Sequence, residues 1–202
     1  MKKIGIINYG LGNPLSISNM VLKAGGLPIF VNDRLGIESV DILILPGVGS
    51  FDNAMKKLEG LNLIEPIKKI SKNSNKLLIG ICLGFQILFD SSEEGKLPGL
   101  GLIDGEVKKF IASEKNKELN MGWRYVDTKD DLMKWNNKAS KFYFVHKYFA
   151  IPTNEDEAIG YSHNGIRFCC AIKKNNILGF QFHPEKSHLF GLKIFEKLIH
   201  DY

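Results

Sequence analysis

The sequence predicts an α/β fold: a mainly parallel central sheet flanked by helices, with an added antiparallel β region. Three observations lead there. Short, wholly apolar runs recur through the first half and again near the end, as strands buried on both faces require. Segments with apolar residues at helical spacing separate them. After Pro98 the texture changes to short strand candidates divided by Gly, Asn and charged turns.

Residues 4–7 form the first apolar run. A turn at Tyr9-Gly10-Leu11-Gly12-Asn13-Pro14 follows, with Asn13 as N-cap and Pro14 at the first helical position. Ile17, Met20, Val21 and Ala24 then recur at helical spacing until Gly25-Gly26 stops the helix. Residues 28–31 and 41–45 read as strands, the latter ending at Pro46-Gly47-Val48-Gly49. Helical patterns cover residues 52–58 and 64–70. Residues 77–81 form another buried strand, followed by Cys82 and a helix over 83–89. In the second half, strands are expected at 106–111, 123–127, 142–149, 158–162 and 168–172. This region is inserted into the first sheet or packed beside it. Residues 177–182 return to the buried-strand texture, and a helix over 189–199 closes the chain, with Leu192, Phe195 and Ile199 on one face. With no repeat, low-complexity stretch or linker, one domain over residues 1–202 is expected.

Composition narrows the function classes. The 202 residues are 44% hydrophobic, enough for a core without disulfides, and carry a net charge of +5. The lysines are scattered, without a dense run interleaved with aromatics, so a solvated surface is expected rather than nucleic-acid binding. The three cysteines, Cys82, Cys169 and Cys170, do not make a disulfide framework, and a strand would turn the adjacent pair to opposite faces. The N-terminus lacks signal-peptide character, and no apolar run reaches membrane-spanning length. A cytoplasmic protein without membrane contact is expected.

Chemistry concentrates in three segments. Gly80-Ile81-Cys82-Leu83-Gly84 lies between a buried strand and a helix, the setting of a nucleophile elbow with Cys in place of Ser. The helix start aims free N–H groups and its positive dipole end at the sulfur, which suits a thiolate. A thiol nucleophile needs a base and the base an orienter. His183-Pro184-Glu185 offers both: in extended chain, residues two apart share a side. His146, His163, His188 and His200 lack such a partner in sequence and read as surface or core histidines. Pro46-Gly47-Val48-Gly49-Ser50 follows another buried strand, so it reaches the same sheet edge, where it and the Leu83 N–H could serve an oxyanion.

Together these segments resemble, in order, the class I (triad) glutamine amidotransferases, which implies their flavodoxin-like fold. Pro46-Gly47-Val48-Gly49 resembles one branch, the ammonia-supplying subunits of imidazole glycerol phosphate synthase. So do Tyr9-Gly10-Leu11-Gly12-Asn13, Met121-Gly122-Trp123, Tyr143-Phe144-Val145-His146 and His183-Pro184-Glu185-Lys186-Ser187. The resemblance runs almost end to end. It implies that Cys82 attacks the side-chain amide of L-glutamine, that His183 shuttles protons, and that Glu185 orients His183. Val48 and Leu83 would supply oxyanion N–H groups. Gly49, Gln86, Glu94, His146, Lys147 and Tyr148 match positions lining the glutamine pocket. Asn13, Trp123, Tyr143 and Lys186 match positions facing a (β/α)8-barrel cyclase that receives the ammonia. No cofactor or metal is implied.

The chain departs from the branch at four places. Asn13 is followed by Pro14-Leu15. Asn120 stands where a histidine usually precedes Met-Gly-Trp, and Arg124 where an asparagine usually follows. Lys147 replaces a small Ser or Thr. The alternative that keeps the chemistry is ammonia supply to a sugar amidotransferase in surface-polysaccharide or flagellar glycan synthesis. A non-catalytic binding subunit is disfavoured by the intact triad. A stand-alone cysteine hydrolase is disfavoured by Gln86, Glu94 and the interface motifs.

Overall fold

A computed structural model describes residues 2–112, 118–134 and 140–201. The first half supplies β1 (Lys3–Ile7), β2 (Leu27–Val31), β3 (Ile42–Leu45) and β4 (Leu77–Ile81). Their connections carry α1 (Pro14–Lys23), α2 (Arg34–Glu38), α3 (Phe51–Gly60) and α4 (Ile64–Ser71). The Asn13 side chain accepts a hydrogen bond from the Ser16 N–H at 3.1 Å, so the expected N-cap of α1 is in place. The short helix α2 was not expected; it is too brief to show a period, and Asp33 caps it by accepting from the Gly36 N–H at 2.7 Å.

After the short α5 (Leu83–Gln86) come β5 (Ser91–Ser92), β6 (Gly105–Lys109), β7 (Asn120–Thr128), β8 (Ser140–His146) and β9 (Tyr148–Pro152). Then follow β10 (Ala158–Asn164), β11 (Ile166–Lys174), β12 (Ile177–Phe180) and α6 (His188–Asp201). The hydrogen-bonded order is β2-β1-β3-β4-β12-β11-β10-β7-β8, with β5, β6 and β9 branching off it. Strands β2 through β12 in that order run parallel; β11, β10, β7 and β8 continue antiparallel. The antiparallel region therefore extends the same sheet, and β12 is the joint.

Each face of the parallel part carries its own core. Ile4, Ile6, Ile42 and Ile79 pack with Val21 of α1 and with Ile194 and Leu198 of α6. Ile7, Leu43, Leu45 and Leu78 pack with Leu58 of α3 and Ile67 of α4. Cys170 joins the first core and Cys169 the second, as strand alternation requires. No helix among the described residues is long and apolar enough to cross a membrane.

Several elements differ from the sequence expectation. The helix after Cys82 stops at Gln86 rather than Phe89. Beyond it the bonding tightens from four residues back to three, the Leu88 N–H donating to Phe85 and the Phe89 N–H to Gln86, and the carbonyls of Ile87, Leu88 and Phe89 accept from Leu100, Leu102 and Gly101. The expected strand over 142–149 is two strands broken at Lys147, whose carbonyl accepts from the Phe110 N–H at 2.9 Å. Strand β12 ends at Phe180, and β7 starts earlier than expected, at Asn120.

Candidate active site

Neighbouring parallel strands bring the chemistry together. In register, Leu45 of β3 lies opposite Gly80 of β4, and Ile81 of β4 opposite Phe180 of β12. The loops leaving these strands carry residues 46–49, Cys82 and residues 181–187. All three emerge at one edge of the sheet, where ligands of open α/β sheets bind. The Cys82 N–H donates to the Phe180 carbonyl at 2.8 Å, tying the nucleophile turn to the strand that delivers the base.

Cys82 has φ 55° and ψ −109°, a backbone that costs a non-glycine residue on the order of 1–3 kcal/mol. Tight packing holds it there. A Cβ on Gly84 would sit 1.8 Å from the Leu45 carbonyl oxygen, and one on Gly80 2.6 Å from the Gly84 carbonyl oxygen. The glycines are thus required by close approach of the helix to the strand ends. Cys169 and Cys170 lie within the sheet, and burial pushes their thiols up, to about 12 for Cys169. Cys82 lines a cavity of about 350 Å³.

His183 Nδ1 and Glu185 Oε1 are 2.7 Å apart, with both side chains almost fully buried. Burial alone would pull the imidazole down. The charge and proximity of Cys82, then the bond and charge of Glu185, outweigh it and push His183 up to about 10. Its Nε2 makes no hydrogen bond of ordinary geometry, so the sulfur lies near the ring at a looser approach than such a bond. The means differs from expectation: the pair is not made by extended chain. His183 is extended, and a single 3-10 turn over Pro184–Lys186 folds Glu185 back onto it, started by the fixed φ of Pro184.

The loop at residues 46–49 lies beside Cys82. The buried Tyr9 hydroxyl donates to the Pro46 carbonyl at 2.7 Å; burial and the nearby Cys82 raise its pKa. Gly49 has φ +112°, a conformation open to glycine. Val48, Gly49 and Leu83 line the cavity together with Gln86, Glu94, His146, Lys147 and Tyr148. The structure thus gathers every residue expected at the reaction centre and pocket. A larger open groove of about 1120 Å³ lies at the opposite strand ends, among Lys2, Asp41, Lys76 and Asn176, away from Cys82.

The pocket residues contribute unequally. Glu94 is half-buried, which raises its pKa, while its Oε2 accepts from the Phe51 N–H at 2.9 Å. Lys147 directs its Nζ to Glu118 at 3.8 Å, so its side chain borders the cavity mouth only. Tyr148 offers its backbone: its carbonyl accepts from Gln86 Nε2 at 3.0 Å and pairs with His146 Nδ1 at 2.7 Å. Gln86 Nε2 also lies 2.9 Å from Gln181 Oε1, and Gln181 Nε2 lies 4.0 Å from Cys82 Sγ. Gln181 was missed in the sequence. The signal was present: a polar residue between Phe180 and Phe182, in an otherwise buried-strand texture, needs a buried partner.

The expected partner-facing residues also gather. Trp123 stacks on His188 with centroids 5.4 Å apart and meets Tyr143 edge-on at 6.1 Å. The Tyr143 N–H donates to Ser187 Oγ at 3.0 Å, and that hydroxyl donates to the His183 carbonyl at 2.6 Å. Exposed Lys186 lies between Glu185 and Ser187, and α1, capped by Asn13, packs near this turn. Ser187, fully buried, is a second residue that sequence reasoning passed over. Among the described residues, no group of three or more His, Cys, Asp and Glu side chains could hold a metal ion.

The sequence model of the glutamine amidotransferase class-I family matches residues 15–200. The chain is 45% identical to imidazole glycerol phosphate synthase subunit HisH 2 of Methanococcus maripaludis, covering 97% of this chain and 98% of that one. It is 38% identical to the subunit HisH 2 of Pseudomonas aeruginosa, with the same coverage of both. Among solved structures, one described as a glutamine amidotransferase superposes with TM-score 0.76 at 16% identity, covering 98% of this chain and 99% of that one. PurLQS from Thermotoga maritima gives TM-score 0.76 at 19% identity, covering 100% and 99%. At such identities these two likenesses concern the fold, and they agree with the mixed sheet described above. The family match and the relatives together establish that this chain belongs to the class-I glutamine amidotransferase family.

Proposed function

We propose that the chain hydrolyses L-glutamine to glutamate and ammonia as the glutaminase subunit of imidazole glycerol phosphate synthase. The observation that carries this reading is a strained cysteine beside a buried pair of His183 and Glu185, opening onto a cavity edged by Glu94 and Gln86. The relatives' names support the pathway.

In this mechanism the Cys82 sulfur attacks the side-chain carbonyl carbon of glutamine. The developing oxyanion is met by the N–H groups of Val48 and Leu83. His183 gives its proton to the departing nitrogen, releasing ammonia and leaving a glutamyl thioester. His183, now neutral, takes a proton from water, which attacks the thioester; glutamate leaves and the sulfur is restored. Glu185 holds the His183 ring in place throughout and stabilises its protonated form. Glu94 supplies negative charge for the substrate's α-amino group.

Ammonia released into water protonates and diffuses away, so an acceptor must dock over the site. The face carrying Asn13, Trp123, Tyr143 and Lys186 fits a (β/α)8-barrel cyclase. Glycines on both sides of Val48 make reorientation of its peptide cheap, and a missing oxyanion donor costs roughly 10²–10³ in rate. The isolated chain is therefore expected to be nearly silent. The test is glutamate release by the chain alone, with a cognate cyclase, and with cyclase plus its nucleotide substrate. Stimulation at each step is expected. Full activity in the isolated chain, indifferent to any barrel partner, contradicts it. The Asn120 and Arg124 departures, on the strand carrying Trp123, favour one second reading with the same chemistry: supply of ammonia to a sugar amidotransferase. Stimulation by that system alone would reassign the pathway.

A further inference from the structure

The strand β7 residues Asn120 and Arg124 are tied to the substrate cavity by a series of hydrogen bonds whose directions can be read without ambiguity. Arg124 Nε donates to Asn120 Oδ1 at 3.1 Å. A guanidinium can only donate, so the oxygen of the Asn120 amide must face it. The amide nitrogen therefore faces His146, where Nδ2 and Nε2 are 2.8 Å apart. An amide nitrogen also only donates, so Nε2 must accept. That leaves the ring proton on Nδ1, which lies 2.7 Å from the Tyr148 carbonyl, an obligate acceptor. The same carbonyl receives Gln86, which in turn holds Gln181 against Cys82.

We propose that Arg124 and Asn120 are positioning residues for glutamine binding: Arg124 sets the Asn120 amide, Asn120 sets the His146 tautomer, and His146 fixes the carbonyl of Tyr148 in the pocket wall. The inference rests on the glutaminase reading above. The surroundings of His146 agree with a permanently neutral ring. It is buried among Phe110, Phe144 and Phe168. Burial pulls its pKa down to about 3, and the cationic His183 adds to this against the bond to Tyr148. The charged and titratable groups near it are His183, Arg124 beyond Asn120, Lys147, whose side chain turns to Glu118, and Cys82 and Glu94 in the lining of the same cavity. A ring that needs no charge needs its tautomer chosen for it, and a neighbouring amide chooses only if its own orientation is fixed.

Two measurements test this on the full chain in complex with its barrel cyclase. The first is the nitrogen NMR signature of His146 in chain labelled at histidine. The neutral Nδ1–H form is expected, without titration from about pH 5 to about pH 8, where an ordinary histidine changes charge. An Nε2–H form, or a protonated ring at neutral pH, overturns the proposal. The second is glutamine hydrolysis by Arg124→Met and Asn120→Asp. Arg124→Met frees the amide to turn over; a mixture of tautomers and a KM for glutamine raised about tenfold are expected, with kcat changed far less. Asn120→Asp demands a proton on Nε2, so the His146 signal and KM should both become pH-dependent in that range. Wild-type KM in both variants, or loss confined to kcat, overturns the proposal. If the wild-type complex releases no glutamate, the glutaminase reading fails instead, while the NMR arm still decides the tautomer.

Discussion

Two regions meet at Cys82 and are built by different means. In the turn at residues 80–84, steric exclusion among close neighbours fixes the nucleophile: helix backbone packs on strand ends so tightly that Gly80 and Gly84 admit no side chain. In the opposite wall, at Asn120 and residues 146–148, no residue has a positive φ. Side-chain hydrogen bonds hold it: Arg124 to Asn120 within β7, Asn120 across to His146 of β8, and His146 to the Tyr148 carbonyl two residues on. The comparison teaches a division of labour. The turn determines that a sulfur can attack; the wall determines what lies in front of it. The turn should fail abruptly when altered, and the wall should fail by degrees.

The largest expected effect follows from removing the sulfur. Cys82→Ser keeps the turn and changes one atom, so glutamate release should fall about 10⁴-fold or more while far-UV circular dichroism is unchanged. Near wild-type turnover in this variant would remove Cys82 from the chemistry. Next comes Glu185→Gln, which keeps the shape and deletes the charge that helps hold His183 near 10. Turnover should drop by about 10²–10⁴. A base held up by a carboxylate must come down when the charge is removed, so the imidazolium loses its proton at lower pH. The alkaline limb of kcat/KM should therefore move to lower pH, as a pH–rate profile of the complex would reveal.

A third variant separates the two regions by stability. Gly84→Ala forces a methyl into the Leu45 carbonyl, 1.8 Å from its ideal position, and should destabilise the fold by about 3–5 kcal/mol in denaturant unfolding. Loss below about 1 kcal/mol would show that the turn is looser than described. The smallest effect belongs to Cys169→Ser. This sulfur is buried in the sheet core away from the cavity, so turnover should stay within about twofold, with about 1 kcal/mol lost in stability.

How much could be read beforehand follows the same division. The parallel strands were legible because burial on both faces leaves unbroken apolar runs, and the loops after β3, β4 and β12 converge by topology alone. The nucleophile turn was legible because its glycines and cysteine are adjacent in sequence. The second half was harder. A strand expected over 142–149 hides a break at Lys147, made by a bond from Phe110 that no local pattern announces. The helix after Cys82 was overextended because its apolar pattern continues through Phe89, while the N–H groups of Leu88 and Phe89 bond three residues back rather than four. The role of Ser187 and the pairing of Asn120 with His146 depend on contacts between separate strands and turns, so composition and periodicity carried no trace of them.

The central claim, that this turn presents the nucleophile of glutamine hydrolysis, is tested most directly by trapping its intermediate. The chain, in complex with its cyclase and nucleotide substrate, would be mixed with excess glutamine, quenched in acid, digested and analysed by mass spectrometry. The account predicts a glutamyl adduct on the peptide bearing Cys82, strengthened in variants that slow water attack and absent in Cys82→Ala. Glutamate formed with the adduct on Cys169 or Cys170, or undiminished turnover in Cys82→Ala, would contradict it.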